Sequence, residues 1–411
     1  MMKKTLISGT LLCIGLMAHA QTKKLNLQQC LDMAMQQNYD VLMAQKSVER
    51  AKVMQGSAWD LDKTEVALSQ DPSSGGNTDN AFTVSQSIDF PTVYIAQRRQ
   101  LKAETQMENS RMNVTKLDVS SEVRSAYYQL VYEMERLHIL TRQDSILSHY
   151  KFMAQEKYKA GETRQLDLMA AERMHRENKL EMTNVMSEIE NAQLRLSGLL
   201  NSDVPVTPSD QELKPLDFVQ TGFNYPQSSA GQLAQDRIKV ADKAVSVAKS
   251  GYAPSLSLAL RSQMVISSWN PYHVDRSRFK EGNFFGFEVG VGVPLFYGAT
   301  KAKVKAAKKD REIAELEMKQ EQQTLQREYM AALSRCNASF GRLTYYQEEG
   351  VEKDKELERR LSHLEYENGE ISYMEYVESL KNCIEFHMNK AAAINEYNQN
   401  VIALEKLMES K

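Results

Sequence analysis

After the first twenty residues, no apolar run reaches the eighteen or so positions that a membrane-spanning helix needs. Cysteine is scarce. Of four in 411 residues, Cys13 lies in the apolar start, and Cys30, Cys336 and Cys383 are an odd, widely spread set. That excludes a disulfide framework and shows no zinc pattern. Charge of one sign is also missing. A net charge of −3 gives no strong overall pull toward nucleic acid or an anionic surface. Catalytic patterns are absent as well. Glu172-x-x-His175 is no metalloprotease helix, and Gly290-x-Gly292 has Leu295 where a dinucleotide fingerprint needs its third glycine. No cofactor and no enzymatic activity are expected.

What is present begins with an export signal. Lys3 and Lys4 precede an apolar run from Leu6 to Met17, and Ala18-His19-Ala20 supplies a small-x-small cleavage site. Leu12 stands where a lipoprotein signal needs a small residue before Cys13, so cleavage before Gln21 without a lipid anchor is expected.

Residues 284–293 alternate strictly. Phe285, Phe287, Val289, Val291 and Val293 fall on one face, and Gly286, Glu288, Gly290 and Gly292 on the other. Alternation of this kind predicts a strand, and about ten residues is the length of a tilted strand that crosses a bilayer. Three further segments read alike. Residues 81–89 set Phe82, Val84 and Ile88 against Thr83, Ser85 and Ser87. Residues 255–265 set Leu256, Leu258 and Leu260 against Ser255, Ser257 and Arg261, and residues 64–70 are a weaker example. Turn formers at 71–80 and 267–282 predict two hairpins, 64–89 and 255–293.

Four strands cannot close a barrel, for which about eight is the working minimum. A ten-residue edge leaves roughly ten polar backbone groups unpaired, each costing several kcal/mol in hydrocarbon. If these strands lie in a membrane, several copies of the chain must share one barrel.

The remainder reads as helix. Leu27, Cys30, Leu31, Ala34, Val41, Ala44 and Val48 recur at helical spacing across residues 25–58. Neither glycine nor proline occurs from Thr92 to Tyr158, where their average frequency would place about four. A seam of Val119, Val123, Tyr127, Leu130, Met134 and Leu137 runs through that stretch. At 1.5 Å per residue the helix would be on the order of 100 Å long, too long for a globular domain. Ala160-Gly161 breaks it, and a second break-free run follows to Ser197. Residues 201–227, with Pro205, Pro208, Pro215 and Pro226, read as a linker.

The second half repeats the first. Tyr158-Lys-Ala-Gly161 parallels Tyr366-Glu-Asn-Gly369; Pro91 and Tyr94 parallel Pro294 and Tyr297; Trp59 parallels Tyr252. The expected organisation is a signal peptide (1–20), repeat 1 (21–200, tip near 158–167), the linker (201–227) and repeat 2 (228–411, tip near 366–375).

These features together resemble the outer-membrane efflux family, the TolC-like channel-tunnels. The motifs are Leu25-x-Leu27-x-x-Cys30-Leu31-x-x-Ala34-x-x-x-Asn38, the paired Tyr-x-x-Gly tips, and a proline closing each hairpin. The resemblance implies a mainly α chain with a small membrane β part, forming a homotrimer with a twelve-stranded barrel on an α-helical tunnel. It implies docking to a periplasmic adaptor and an inner-membrane pump. The wording Phe90-Pro91-Thr-Val-Tyr94 is similar to members serving heavy-metal pumps of the resistance-nodulation-division (RND) class.

By the same resemblance, Glu375 and Glu378 match aperture acids at the periplasmic mouth, and Asp167 and Tyr366 match a hydrogen-bonded lock. Tyr158, Gly161 and Gly369 mark the adaptor-docking tips. Ile371 stands where family members carry an arginine, which implies a weaker or differently arranged closure. An exit duct of a type I secretion system and an exported coiled-coil scaffold or adhesin without a pore are the alternatives. The scaffold leaves the four amphipathic strands without a reason.

Three other patterns have plain explanations. Cys383 and His387 face one way on a helix but have no third convergent ligand, so no metal site is expected. The methionines sit in helical runs where they fill core gaps. Lys301, Lys303, Lys305, Lys308, Lys309 and Arg311 follow the last strand, and Arg98, Arg99 and Lys102 the second. They read as a solvated helix face, with headgroup contact as the second reading.

Overall fold

The computed structural model describes residues 23–73, 77–210, 212–219, 222–264, 283–349 and 373–408. The export signal lies outside them. The elements in order are β1 (Lys23–Leu25), α1 (Leu27–Gln37), α2 (Tyr39–Met54), a 3₁₀ turn (Gln55–Trp59), β2 (Glu65–Ser73) and β3 (Asn77–Asp89). Next come α3 (Pro91–Lys159), α4 (Gln165–Leu199), β4 (Val206–Pro208), α5 (Ser229–Ser250), β5 (Ser255–Met264) and β6 (Asn283–Gly292). The chain closes with α6 (Gly298–Thr344), a π-helical turn (Tyr345–Glu349) and α7 (Tyr373–Met408).

The chain folds into two units, each drawing on both repeats. One comprises Met1–Asn38, Glu122–Leu216 and Ser339–Gln399; the other comprises Tyr39–Ser121, Asp217–Ala338 and Asn400–Lys411. The break-free run predicted from Thr92 is α3, 69 residues long, with Pro91 in its first turn, where a missing N–H costs nothing. Residues 91–121 belong to the second unit and the remainder to the first.

The second unit holds the sheet. Its strand order is β2-β3-β5-β6, all antiparallel, so the two predicted hairpins join edge to edge through β3 and β5. Val66, Val84, Leu260 and Phe287 stand in one cross-strand row, and Leu68, Phe82, Ser262 and Phe285 in another. Because side chains alternate with period two, this register puts the apolar residues of all four strands on a single face. That face is bare in the single chain: Phe285, Phe287, Val289 and Val291 are 61–76% exposed. Gln86 interrupts it but is satisfied, accepting from Thr64 Oγ1 (2.6 Å) and donating to the Asp62 carbonyl (2.7 Å).

Residues read as a turn prove to be strand, since β2 runs on through Pro72 to Ser73. Proline is tolerated there because β2 is an edge strand. Around the sheet, Ser110 Oγ donates to Asp236 Oδ2 (2.7 Å), tying α3 to α5, and Lys406 pairs with Asp118 (2.8 Å), tying α7 to α3. The tandem repeat is visible in contact geometry. Trp59 stacks on Tyr94 (centroids 5.2 Å apart), and the equivalent Tyr252 meets Tyr297 at 5.6 Å.

The first unit departs from expectation in two places. The helix predicted over residues 25–58 is broken at Asn38, which adopts an extended conformation between α1 and α2. Its amide donates to the Leu199 carbonyl (2.9 Å), a group at the end of α4 that would otherwise lack a helical partner. Residues 201–227 are also no free connector. Strand β4 pairs in parallel with β1, Tyr127 Oη donates to Asp210 Oδ2 (2.9 Å), and Asn398 clamps both the Lys214 carbonyl (2.9 Å) and the Leu216 N–H (2.8 Å). Burial and the bond to Asp210 hold the Tyr127 hydroxyl well above its ordinary pKa. Burial, with the Asp210 charge behind it and Lys23 opposing, pushes the Cys30 thiol up to about 11, which leaves it inert at neutral pH.

The register generates a test on adjacent residues. With lipid against the apolar face, Phe287→Lys in mid-strand is expected to cost about 2–4 kcal/mol, and Glu288→Lys on the opposite face far less. Urea unfolding of lipid-reconstituted protein compares them; equal costs would place lipid on the wrong side.

Candidate functional site at the first helical turn

Helix α3 stops because of one glycine. Gly161 has φ +74°, a left-handed conformation that residues with a Cβ rarely adopt. Its N–H donates to the Tyr158 carbonyl (3.0 Å), and the Glu162 N–H reaches back to the Lys157 carbonyl (2.9 Å). Together these form a Schellman stop, which satisfies carbonyls the helix end would leave bare. Lys157 and Lys159 in the last turn suit the negative end of the helix dipole.

Helix α4 starts four residues after Gly161, with Asp167 in its first turn. Asp167 Oδ2 accepts from Thr163 Oγ1 (3.0 Å), the Arg164 N–H (3.2 Å) and the Arg164 guanidinium (3.5 Å). The Asp167 N–H donates to the Arg164 carbonyl (3.0 Å), so the chain is held at the helix start by backbone and side chain together. Burial alone would raise the Asp167 pKa, but the accepted hydrogen bonds and the Arg164 charge outweigh it and hold the carboxyl below its ordinary 3.8.

Directly behind the turn, Tyr150 and Ala154 of α3 pack with Ala171 and Leu168 of α4. Farther along the same helix pair, Asp144 meets His175 (3.4 Å), and the Asn178 amide donates to the Leu140 carbonyl (3.3 Å). Arg136 bridges Glu133 (2.8 Å) and Glu181 (2.9 Å). Burial disfavours the Arg136 charge, but the two glutamates more than compensate and raise its pKa. The turn is therefore fixed from within. On its outside, Tyr158, Leu166 and Met169 are exposed apolar residues close in sequence.

Of the residues singled out from the sequence, Tyr158, Gly161 and Asp167 fall together in this turn. Tyr366, Gly369 and Ile371 lie outside the described residues. Glu375 and Glu378 belong to the first turns of α7, and their side chains also lie outside the description. The Asp167–Tyr366 lock and the acidic pair are thus untouched by this geometry. Sequence reasoning missed the role of Asp167 as a cap, although an acid three residues after the N-cap is a readable signal. Among the described residues, no three His, Cys, Asp or Glu side chains gather as a metal site, and no helix is long and apolar enough to cross a membrane.

A bare apolar sheet, long helices and a tight glycine turn make a fold similar to that of solved outer-membrane channels. Solved structures of that class share the fold along nearly the whole chain. CusC superposes with a TM-score of 0.75 at 15% identity, covering 95% of this chain and 94% of its own. The Neisseria gonorrhoeae MtrE outer membrane channel, solved in an open state, gives 0.71 at 16%, covering 93% and 88%. The Campylobacter jejuni CmeC outer membrane channel gives 0.69 at 16%, covering 93% and 85%. Residues 232–409 match the family model for outer membrane efflux protein. No protein among curated sequences matches. The chain shares the fold of these channels, and its second half is similar to the outer membrane efflux protein family.

Removing the turn's two anchors should loosen it locally. Gly161→Ala is expected to cost about 1–2 kcal/mol, the penalty of a left-handed Cβ, and Asp167→Ala about 0.5–2 kcal/mol. Because the folded pKa of Asp167 lies below 3.8, its contribution is full above that pH and disappears as pH falls through the lower folded value. Amide hydrogen exchange across residues 157–170 measures both effects; unchanged protection in Asp167→Ala contradicts the assignment.

Proposed function

We propose that three copies of the chain complete one twelve-stranded barrel and act as the passive exit duct of a tripartite efflux pump. The single observation that carries this is the four-stranded sheet with an apolar face and two edge strands, β2 and β6, that pair with no further strand among the described residues. Three such sheets joined head to tail leave no edge, which satisfies hydrocarbon's demand that every backbone group be paired. Heterologous contacts that close by rotation give a ring. No energy-coupling chemistry is needed, because an inner-membrane pump supplies the work.

In this reading the helical turns meet a periplasmic adaptor, with Tyr158, Gly161 and Gly369 marking the contact and the exposed Leu166 and Met169 beside the first of them. The partner pump is of the RND type, and the cargo is small molecules or metal cations. The RND and metal assignments rest on the resemblance carried by residues 90–94. Domain organisation follows the tandem repeat, with residues 21–200 and 228–411 as the two arms and 201–227 between them. The equivalent Trp59–Tyr94 and Tyr252–Tyr297 contacts support that division.

The gate is formed by Glu375 and Glu378 with the Asp167–Tyr366 lock. Glu375 and Glu378 are three apart in α7, on one helical face. Three copies place six carboxylates around the mouth, which favours cations and repels anions. With Ile371 in place of an arginine, closure relies less on charge.

Reconstitution in planar bilayers tests both levels. The protein is expected to conduct, and Glu375→Gln with Glu378→Gln to shift the reversal potential toward lower cation preference in a salt gradient. No conductance removes the duct; conductance with unchanged selectivity removes only the acidic gate.

A further inference from the structure

The cations that open α3 and α6 take little part in holding the fold. Lys301, Lys303, Lys305 and Lys308 are exposed and make no ion pair among the described residues, whereas Lys309 pairs with Glu312 and Arg311 with Glu315 and Asp242. Arg98, Arg99 and Lys102 are likewise exposed and unpaired among the described residues. Lys301, Lys305 and Lys308 follow helical spacing and share a face, as do Arg98 and Lys102. The spacing that relates Tyr94 to Tyr297 also relates Arg98 to Lys301 and Lys102 to Lys305. Both repeats therefore present cations at the same place.

That place is costly for a lysine. Neither helix has an acid in its first turn, and Lys301 falls in the first turn of α6, where the helix dipole attracts anions and repels cations. Unopposed, the arrangement destabilises the helix start; an anion laid against it reverses the sign.

The chain order indicates which anion. The bare apolar face of β6 leads through the exposed Leu295 and Phe296 to the Tyr252–Tyr297 contact, and only then to the lysines. On the other hairpin, β3 leads through exposed Phe90 to Tyr94 stacked on the exposed Trp59, and then to Arg98 and Lys102. Apolar, aromatic, cationic is the succession of hydrocarbon, interface and headgroup. We propose that this double basic stripe binds the headgroup phosphates of anionic phospholipids at the leaflet where β3 and β6 leave the bilayer. The inference rests on the strands lying in the membrane.

Full-length protein in mild detergent, incubated with equal phosphatidylglycerol and phosphatidylethanolamine and then stripped of loose lipid, tests it by counting retained lipid. Wild type is expected to be enriched several-fold in phosphatidylglycerol, and to lose that enrichment in about 0.5 M salt, where screening lengths fall to a few ångströms. The variant carrying Arg98→Gln, Lys102→Gln, Lys301→Gln, Lys305→Gln and Lys308→Gln should retain both lipids equally. Lys301→Arg with Lys305→Arg and Lys308→Arg should keep the preference.

Wild type with no preference, or a preference that survives both salt and neutralisation, overturns the proposal. Displacement of the lipid by soluble glycerol phosphate also overturns it, because the site would then be a free-anion site. So does a neutralised variant with unchanged lipid retention and altered pore selectivity, which would turn the stripe toward the lumen. Conductance of the same wild-type preparation separates this failure from failure of the duct. Should the neutralised variant not fold, the wild-type salt and glycerol phosphate results decide alone.

Discussion

Everything in this chain answers to the backbone hydrogen bonds along β2 and β6. The proposed place of this sheet is against hydrocarbon, yet its two outer strands carry rows of N–H and C=O groups with no partner strand among the described residues. In water those groups are solvated for nothing; in lipid each costs several kcal/mol. No rearrangement of four strands removes the difficulty, since barrels begin at about eight. The sequence alternation creates the apolar face, the register aligns it across four strands, and together they underlie the proposed association.

The helices serve this arrangement by being uninterrupted. Gly161 and Asn38 are two of the points where helix yields to another conformation, and hydrogen bonds to named partners secure both. Polar groups also settle the less regular parts. Asn398 and Tyr127 hold the proline-rich segment 201–216 against its own unit, and Asp236 gathers Ser110 and Lys239. Such buried polar contacts are expensive when half-made, so they fix one arrangement of otherwise interchangeable helices.

Much of this was readable from residue order because it is governed by local periodicity. Alternation in residues 284–293 and the lack of glycine and proline after Thr92 need no knowledge of distant neighbours, and both mature into elements with nearly the expected bounds. The features that escaped depend on partners far along the chain. The parallel pairing of β1 with β4 spans three residues and has no periodic signature. The break at Asn38 is stabilised by Leu199, and the joining of β3 to β5 unites hairpins from different repeats. Pro72 looked like a turn residue because its tolerance at an edge depends on the sheet's final order. Of the candidate site residues, Gly161 is visible as a helix break, whereas Asp167 and the acids of α7 are reached only by resemblance.

The number of chains that seal one barrel is the decisive quantity. Native mass spectrometry of the protein released from lipid nanodiscs measures it directly. Three copies per particle, resistant to dilution, is the result expected from four strands each. A stable single copy, inserted in lipid with both edges unpaired, would contradict the central claim.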